Sequence, residues 1–89
     1  MNKNRRKELK DWIKKIKEWA GEGEVLRRNI ENICSDEEDY FNNMPENLQG
    51  SARGVSSEDF IDRMNDAIGS VENAIEAASE AVDCLDGVV

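Results

Sequence analysis

Along the first half of the chain a seam recurs at alternating steps of three and four residues: Leu9, Trp12, Ile16, Trp19, Leu26, Ile30, Ile33, Tyr40 and Met44, with Gly23 and Glu37 completing the phase. A repeat averaging 3.5 residues stays on one side of an α-helix only when that helix winds around another. Ile13, Ala20, Cys34 and Phe41 sit beside the seam and widen it, so this helix carries apolar surface for more than one neighbour. A second run, Ile61, Met64, Ile68, Val71, Ile75, Ala78, Val82, Leu85 and Val89, repeats the alternation, flanked by Phe60, Ala67, Ala74 and Ala81. No segment alternates with the period of a strand. The expected class is all-α: a long antiparallel helical hairpin, coiled-coil-like, that oligomerises into a helix bundle.

Gly21-Glu22-Gly23 interrupts the first run, and each glycine costs about 1 kcal/mol against alanine inside a helix. Trp19 and Leu26 nevertheless keep phase across it, which an intervening loop would preserve only by accident. The phase predicts one helix over about 3–43, weak or bent at Gly21–Gly23, with room at position 23 for a bulky partner side chain. Ser56 and Ser57 followed by Glu58 and Asp59 suit a helix N-terminus, and Gly87 a helix end. The expected organisation is a single domain: helix one over about 3–43, a corner loop over about 44–56 and helix two over about 57–86. Residues facing each other should then have numbers summing to about 101, with helices roughly 60 and 45 Å long. Cys34 would face about residue 67 and Cys84 about residue 17, some 25 Å apart by helix rise, so two reduced thiols are expected.

The chain has 89 residues and a net charge of −8, divided unevenly. Residues 1–19 carry eight basic side chains (Lys3, Arg5, Arg6, Lys7, Lys10, Lys14, Lys15 and Lys17) against three acidic ones, giving +5; the rest carries −13. A basic end on an acidic molecule meets long-range repulsion from polyanions, so direct binding to nucleic acid or to an anionic membrane is not expected. A complementary role, one helix end against another's, is. No run approaches the roughly 18 apolar residues of a membrane span. The polar, basic N-terminus has no apolar leader segment, so a cytoplasmic location is expected.

The chemistry-bearing motifs are mostly absent. There is no histidine, the two cysteines are fifty residues apart, and no phosphate-binding, dinucleotide-binding or nucleophile-elbow motif occurs. The run Ser35-Asp36-Glu37-Glu38-Asp39 lacks the spacing of a calcium loop and reads as a solvated helix face. The expectation is no catalytic residue, no metal, no cofactor and no enzymatic activity. Trp12, Ile16, Trp19, Leu26, Ile30 and Tyr40 are the candidate interface residues.

The connector Asn42-Asn43-Met44-Pro45-Glu46-Asn47-Leu48-Gln49-Gly50-Ser51-Ala52-Arg53-Gly54 is richer than a linker needs to be. Asn43 is expected to cap a short turn begun by Pro45 and ended by Gly50. After it, Ser51, Arg53, Gly54, Ser56 and Ser57 combine backbone amides, hydroxyls, a guanidinium and an expected helix N-terminus, the ingredients of an anion site. Arg53 has a plainer reading too, as an ion-pair partner of Glu46, Glu58 or Asp59.

The pattern N-M-P-E-x-L-Q-x-S-x-R-G over Asn43–Gly54, between a first helix opening N-K-x-R-R-K and an acidic, alanine-rich second helix, resembles small proteins encoded by bacteriophages and prophages of Gram-positive bacteria. Gly21-Glu22-Gly23 departs from the continuous charged helix expected of them. The resemblance implies a phage accessory protein, a group that includes inhibitors of host machinery and antiviral defence, and supplies no functional residue. The expected function is therefore non-enzymatic: a homodimer that binds and inhibits a host bacterial protein through an acidic helical surface. An oligomeric sponge for a nucleotide or other anionic signal, held by Arg53, and a structural phage component are the alternatives.

Overall fold

The computed structural model describes residues 1–89. Three helices follow in order: α1 (Lys3–Asn42), α2 (Glu46–Gln49) and α3 (Ala52–Asp86). α1 and α3 pack side by side and antiparallel as an extended hairpin of 68 × 15 × 14 Å, with the single turn α2 closing one end. No strand is present, and no helix is long and apolar enough to cross a membrane.

α1 opens at Asn2, whose side chain accepts a 2.8 Å hydrogen bond from the Arg5 amide, satisfying one of the donors a helix start leaves unpaired. It then runs unbroken through Gly21 and Gly23. Gly23 faces α3: a methyl group there would lie 3.1 Å from Ile75 Cγ1, so the missing side chain admits the isoleucine. Burial against α3 stabilises a stretch whose own propensity would break it.

The side of α1 that meets α3 is Leu9, Ile13, Ile16, Ala20, Gly23, Arg27, Ile30, Cys34, Glu37, Phe41 and Met44, each buried or half-buried. This is the neighbouring phase of the same heptad. On α3 the matching set is Gly54, Ser57, Ile61, Met64, Ile68, Val71, Ile75, Ala78, Val82 and Leu85. Gly23 lies against Ile75 and Cys34 against the turn of Ile61, which lets the axes come close there. Facing numbers sum to 98 or 99, as in Gly23 with Ile75, Arg27 with Glu72 and Cys34 with Asn65.

That sum is below the expected 101 because the corner is shorter than anticipated. α3 starts at Ala52, five residues before the expected 57, and its N-cap is Ser51, whose hydroxyl accepts from the Gly54 amide at 3.4 Å and donates to the Leu48 carbonyl. Ser56 and Ser57 are therefore interior helix residues rather than caps. Pro45 precedes α2 and Gly50 ends it, but Asn43 caps the end of α1, its amide bonding to the carbonyls of Asp39 and Phe41. Gly54 is buried where α2 crosses α3: a Cβ there would lie 2.6 Å from the Gln49 carbonyl carbon and 2.8 Å from its Cα. The glycine is required for space, since no residue of the chain has a positive φ.

Candidate functional site

The hairpin has two unlike flanks. One lies beyond Arg27 and Cys34 on α1 and beyond Ile61, Ile68 and Ile75 on α3, and it is polar. Arg27 leaves the seam on this side, donating to Glu24 at 2.6 Å and Glu31 at 2.8 Å and approaching Glu72 of α3 at 3.7 Å. Its pKa is raised, chiefly by the hydrogen bond from its guanidinium to Glu24, with burial acting against this and the charges of Glu24 and Glu31 adding to it. Cys34 donates weakly to Glu38 and Asn65, both at 3.6 Å. Burial first, then the Glu38 contact and charge, push this thiol above its usual range, so it is a protonated packing group rather than a nucleophile.

The opposite flank is apolar along its length. Trp12, Trp19, Leu26, Ile33 and Tyr40 each stand one residue before a seam position of α1, and between 45% and 60% of each is exposed. Phe60, Ala67, Ala74 and Ala81 stand one residue before seam positions of α3 and are exposed as well. In an antiparallel pair, positions preceding the same kind of seam residue fall on one side. Large side chains thus ridge the α1 half of this flank, while Ala67, Ala74 and Ala81 leave most of the α3 half low, with Phe60 standing at its corner end; Lys15 covers part of the ridge, its Nζ 4.7 Å from the centre of the Trp12 ring. Of the candidate interface residues, Trp12, Trp19, Leu26 and Tyr40 lie on this exposed ridge, whereas Ile16 and Ile30 are half-buried against α3.

The candidate anion site does not assemble. Gly54 is buried with its amide taken by Ser51, and Ser57 is 1% exposed with its hydroxyl donating to the Glu37 carboxylate at 2.8 Å. A carboxylate at that place repels an anion. Ser56 points to solvent from the first turns of α3. Arg53 alone keeps the expected character: it makes no ion pair, Asp59 being engaged by Arg63 at 2.9 Å, and it lines a hollow of about 570 Å³ with Tyr40, Asn43, Met44, Pro45, Leu48 and Ser51. No group of three acidic, cysteine or histidine side chains converges as a metal site would require.

Two contacts escaped the sequence reading. The Gln49 amide donates to the carbonyls of Phe41 at 3.3 Å and Met44 at 3.2 Å, tying α2 to the end of α1. The Ser57–Glu37 bond was signalled by phase, because stepping back from Ile61 by four and then three reaches Ser57 and Gly54. Comparison with protein families, with characterised proteins and with solved structures finds no match to this chain.

Proposed function

We propose that the protein works by binding other proteins: it self-associates, most simply as a dimer, through the apolar flank, and it inhibits a host bacterial protein through its acidic outer faces, as a phage-type accessory protein. The observation that carries this reading is the full-length ridge of Trp12, Trp19, Leu26, Ile33 and Tyr40 left open to solvent. Each buried aromatic contributes about 150–250 Å², so half-exposed Trp12, Trp19 and Tyr40 leave on the order of 300 Å² of apolar surface, joined along the ridge by Leu26 and Ile33. Patches of that size on small proteins mark interaction sites. On the far side of α3, Asp62, Asp66, Glu76, Glu80 and Asp83 are exposed and have no basic partner, a surface suited to a basic protein.

Capture from a bacterial lysate tests the acidic face. Wild type should retain a partner that is lost at about 0.5 M salt, where screening falls to a few ångströms, and lost equally in Glu76→Gln, Glu80→Gln, Asp83→Asn. Retention under both conditions removes acidic recognition.

One observation favours a second reading. Arg53 is unpaired at the lip of the corner hollow, which fits an anionic small molecule with an apolar body. Calorimetry with cyclic nucleotides should then show heat for wild type and none for Arg53→Ala; absence of heat in both ends that reading.

A further inference from the structure

We infer that the apolar flank is closed by a second copy of this chain placed with both corners at the same end, α1 of each copy lying on α3 of the other. The inference rests on the self-association proposed above and specifies its geometry. A twofold axis along the hairpin preserves level, so each α1 residue meets the α3 residue of the copy whose number completes a sum near 99, as within the chain.

Three features then match. Size matches first over the middle of the flank: Trp19 falls between Ala77 and Ala81 of the second copy, Leu26 on Ala74, and Ile33 on Ala67, large side chains over small ones, while at the corner end Tyr40 meets Phe60 as an aromatic pair. Charge matches second: Asp36 of each α1 comes level with Arg63 of the other copy, both residues lying on the apolar-flank side of their helices. Direction matches third, since every neighbouring pair of helices in the four-helix bundle is antiparallel and their dipoles align favourably.

The other twofold arrangement, with the corners at opposite ends, also keeps neighbouring helices antiparallel but loses the matches of size and charge. It lays α1 on α1 and stacks Trp12 over Tyr40 and Trp19 over Ile33, holding the alanine faces of the two α3 helices apart. It also sets the two α3 helices side by side, each with nine acidic and two basic residues.

The test has two levels. Light scattering on the full chain at high micromolar concentration should give the mass of a dimer; a monomer overturns both self-association and this geometry, and a larger assembly overturns the two-hairpin closure. Pairing is then read in a Cys84→Ser background, with chains carrying Leu26→Cys alone, Ala74→Cys alone, and an equal mixture. Mild oxidation should cross-link only the mixture, as a Leu26→Cys chain joined to an Ala74→Cys chain. Cross-linked dimers of Leu26→Cys alone, or none in the mixture, overturn the geometry and leave self-association standing.

A spin label at exposed Asn47→Cys, again with Cys84→Ser, reads the same question without altering the flank. Corners at one end place the two labels within about 20–30 Å, two to three helix diameters. A separation approaching the 68 Å length of the hairpin overturns the inference.

Discussion

Replacing glycine by alanine at four helical positions of this chain should give three different outcomes, with Gly54 the decisive one. In an open helix interior the change removes backbone freedom from the unfolded chain and adds about 0.5–1 kcal/mol of stability. Gly21 and Gly69 are such positions: a methyl group at either meets nothing within 4 Å, and neither lies on the apolar flank. At Gly23 the methyl would sit 3.1 and 3.4 Å from the Cγ1 and Cδ1 atoms of Ile75, a side chain that can shift, so gain and strain nearly cancel. At Gly54 it would sit 2.6 and 2.8 Å from the carbonyl carbon and Cα of Gln49, and closer still to the carbonyl oxygen. Ordinary carbon contacts are about 3.5–4.0 Å, so α2 must retreat by about 1 Å. That move pulls the Gln49 amide off the carbonyls of Phe41 and Met44. Overpacking costs about 1–3 kcal/mol and each weakened hydrogen bond about 0.5–1.5 kcal/mol, against a propensity gain of about 1 kcal/mol. The net expectation is a loss of about 1–5 kcal/mol. For a domain of this size 1 kcal/mol moves Tm by about 4–8 °C, so Gly54→Ala should melt at least about 4 °C below wild type. Gly21→Ala and Gly69→Ala should melt a few degrees above it. Thermal circular dichroism at 222 nm and one protein concentration reads all four, since association makes Tm concentration-dependent. A Gly54→Ala protein melting at or above wild type would refute the claim that α2 is wedged against α3 at this point.

Ser57→Ala should cost about 1–2 kcal/mol in urea unfolding, because it strips the Glu37 carboxylate of a hydroxyl donor inside the seam; an unchanged midpoint would mean the 2.8 Å bond contributes nothing. In native protein a disulfide reagent should modify exposed Cys84 promptly and Cys34 at least about 100-fold more slowly, as expected of a buried thiol opposite an exposed one, and equal rates would contradict the packing. Because the folded state raises the Cys34 pKa, its contribution is complete below the ordinary thiol value and is lost as pH rises through the folded value. Wild type should therefore lose more stability than Cys34→Ala as pH rises above the usual thiol value of about 8.5; parallel losses would remove the effect. Trp19→Glu should lower the assembled mass to that of the monomer with helix content kept, since Trp19 is 53% exposed within one chain; a persisting dimer would place the interface elsewhere.

The period of the apolar pattern was sufficient to read an antiparallel helical hairpin, and phase continuity from Trp19 to Leu26 was sufficient to carry α1 through its glycines. The start of α3 was misplaced because Ser51, Ser56 and Ser57 all have capping chemistry. The choice among them depends on where α2 directs the chain, a tertiary matter that local propensity does not express. The anion site was a product of that misplacement: moving the helix start to Ala52 turns Ser57 inward to Glu37 and commits the Gly54 amide to Ser51. Arg53 was equally suited to an ion pair with Glu46, Glu58 or Asp59, and it pairs with none of them, because pairing depends on side-chain distances that composition does not express.

Which of two adjacent phases of α1 faces α3 was also beyond the pattern, and the outcome runs against simple hydrophobicity. Trp12, Trp19, Leu26, Ile33 and Tyr40 are collectively far more apolar than Ile13, Ala20, Arg27, Cys34 and Phe41, yet the second set is turned inward. Side-chain volume accounts for this. The inward phase of α3 carries Ile61, Met64, Ile68 and Ile75, and the axes come close where Gly23 and Cys34 lie opposite it. The middle of the α3 flank is instead small, with Ala67, Ala74 and Ala81, and the large residues of α1 lie beside it without a partner above them. The large-against-small contact of Ile75 with Gly23 in the seam thus has a counterpart in the middle of the flank, where a second hairpin would find the same match. A single hairpin uses only one of its two complementary faces, and the more apolar of the two is the one it leaves open.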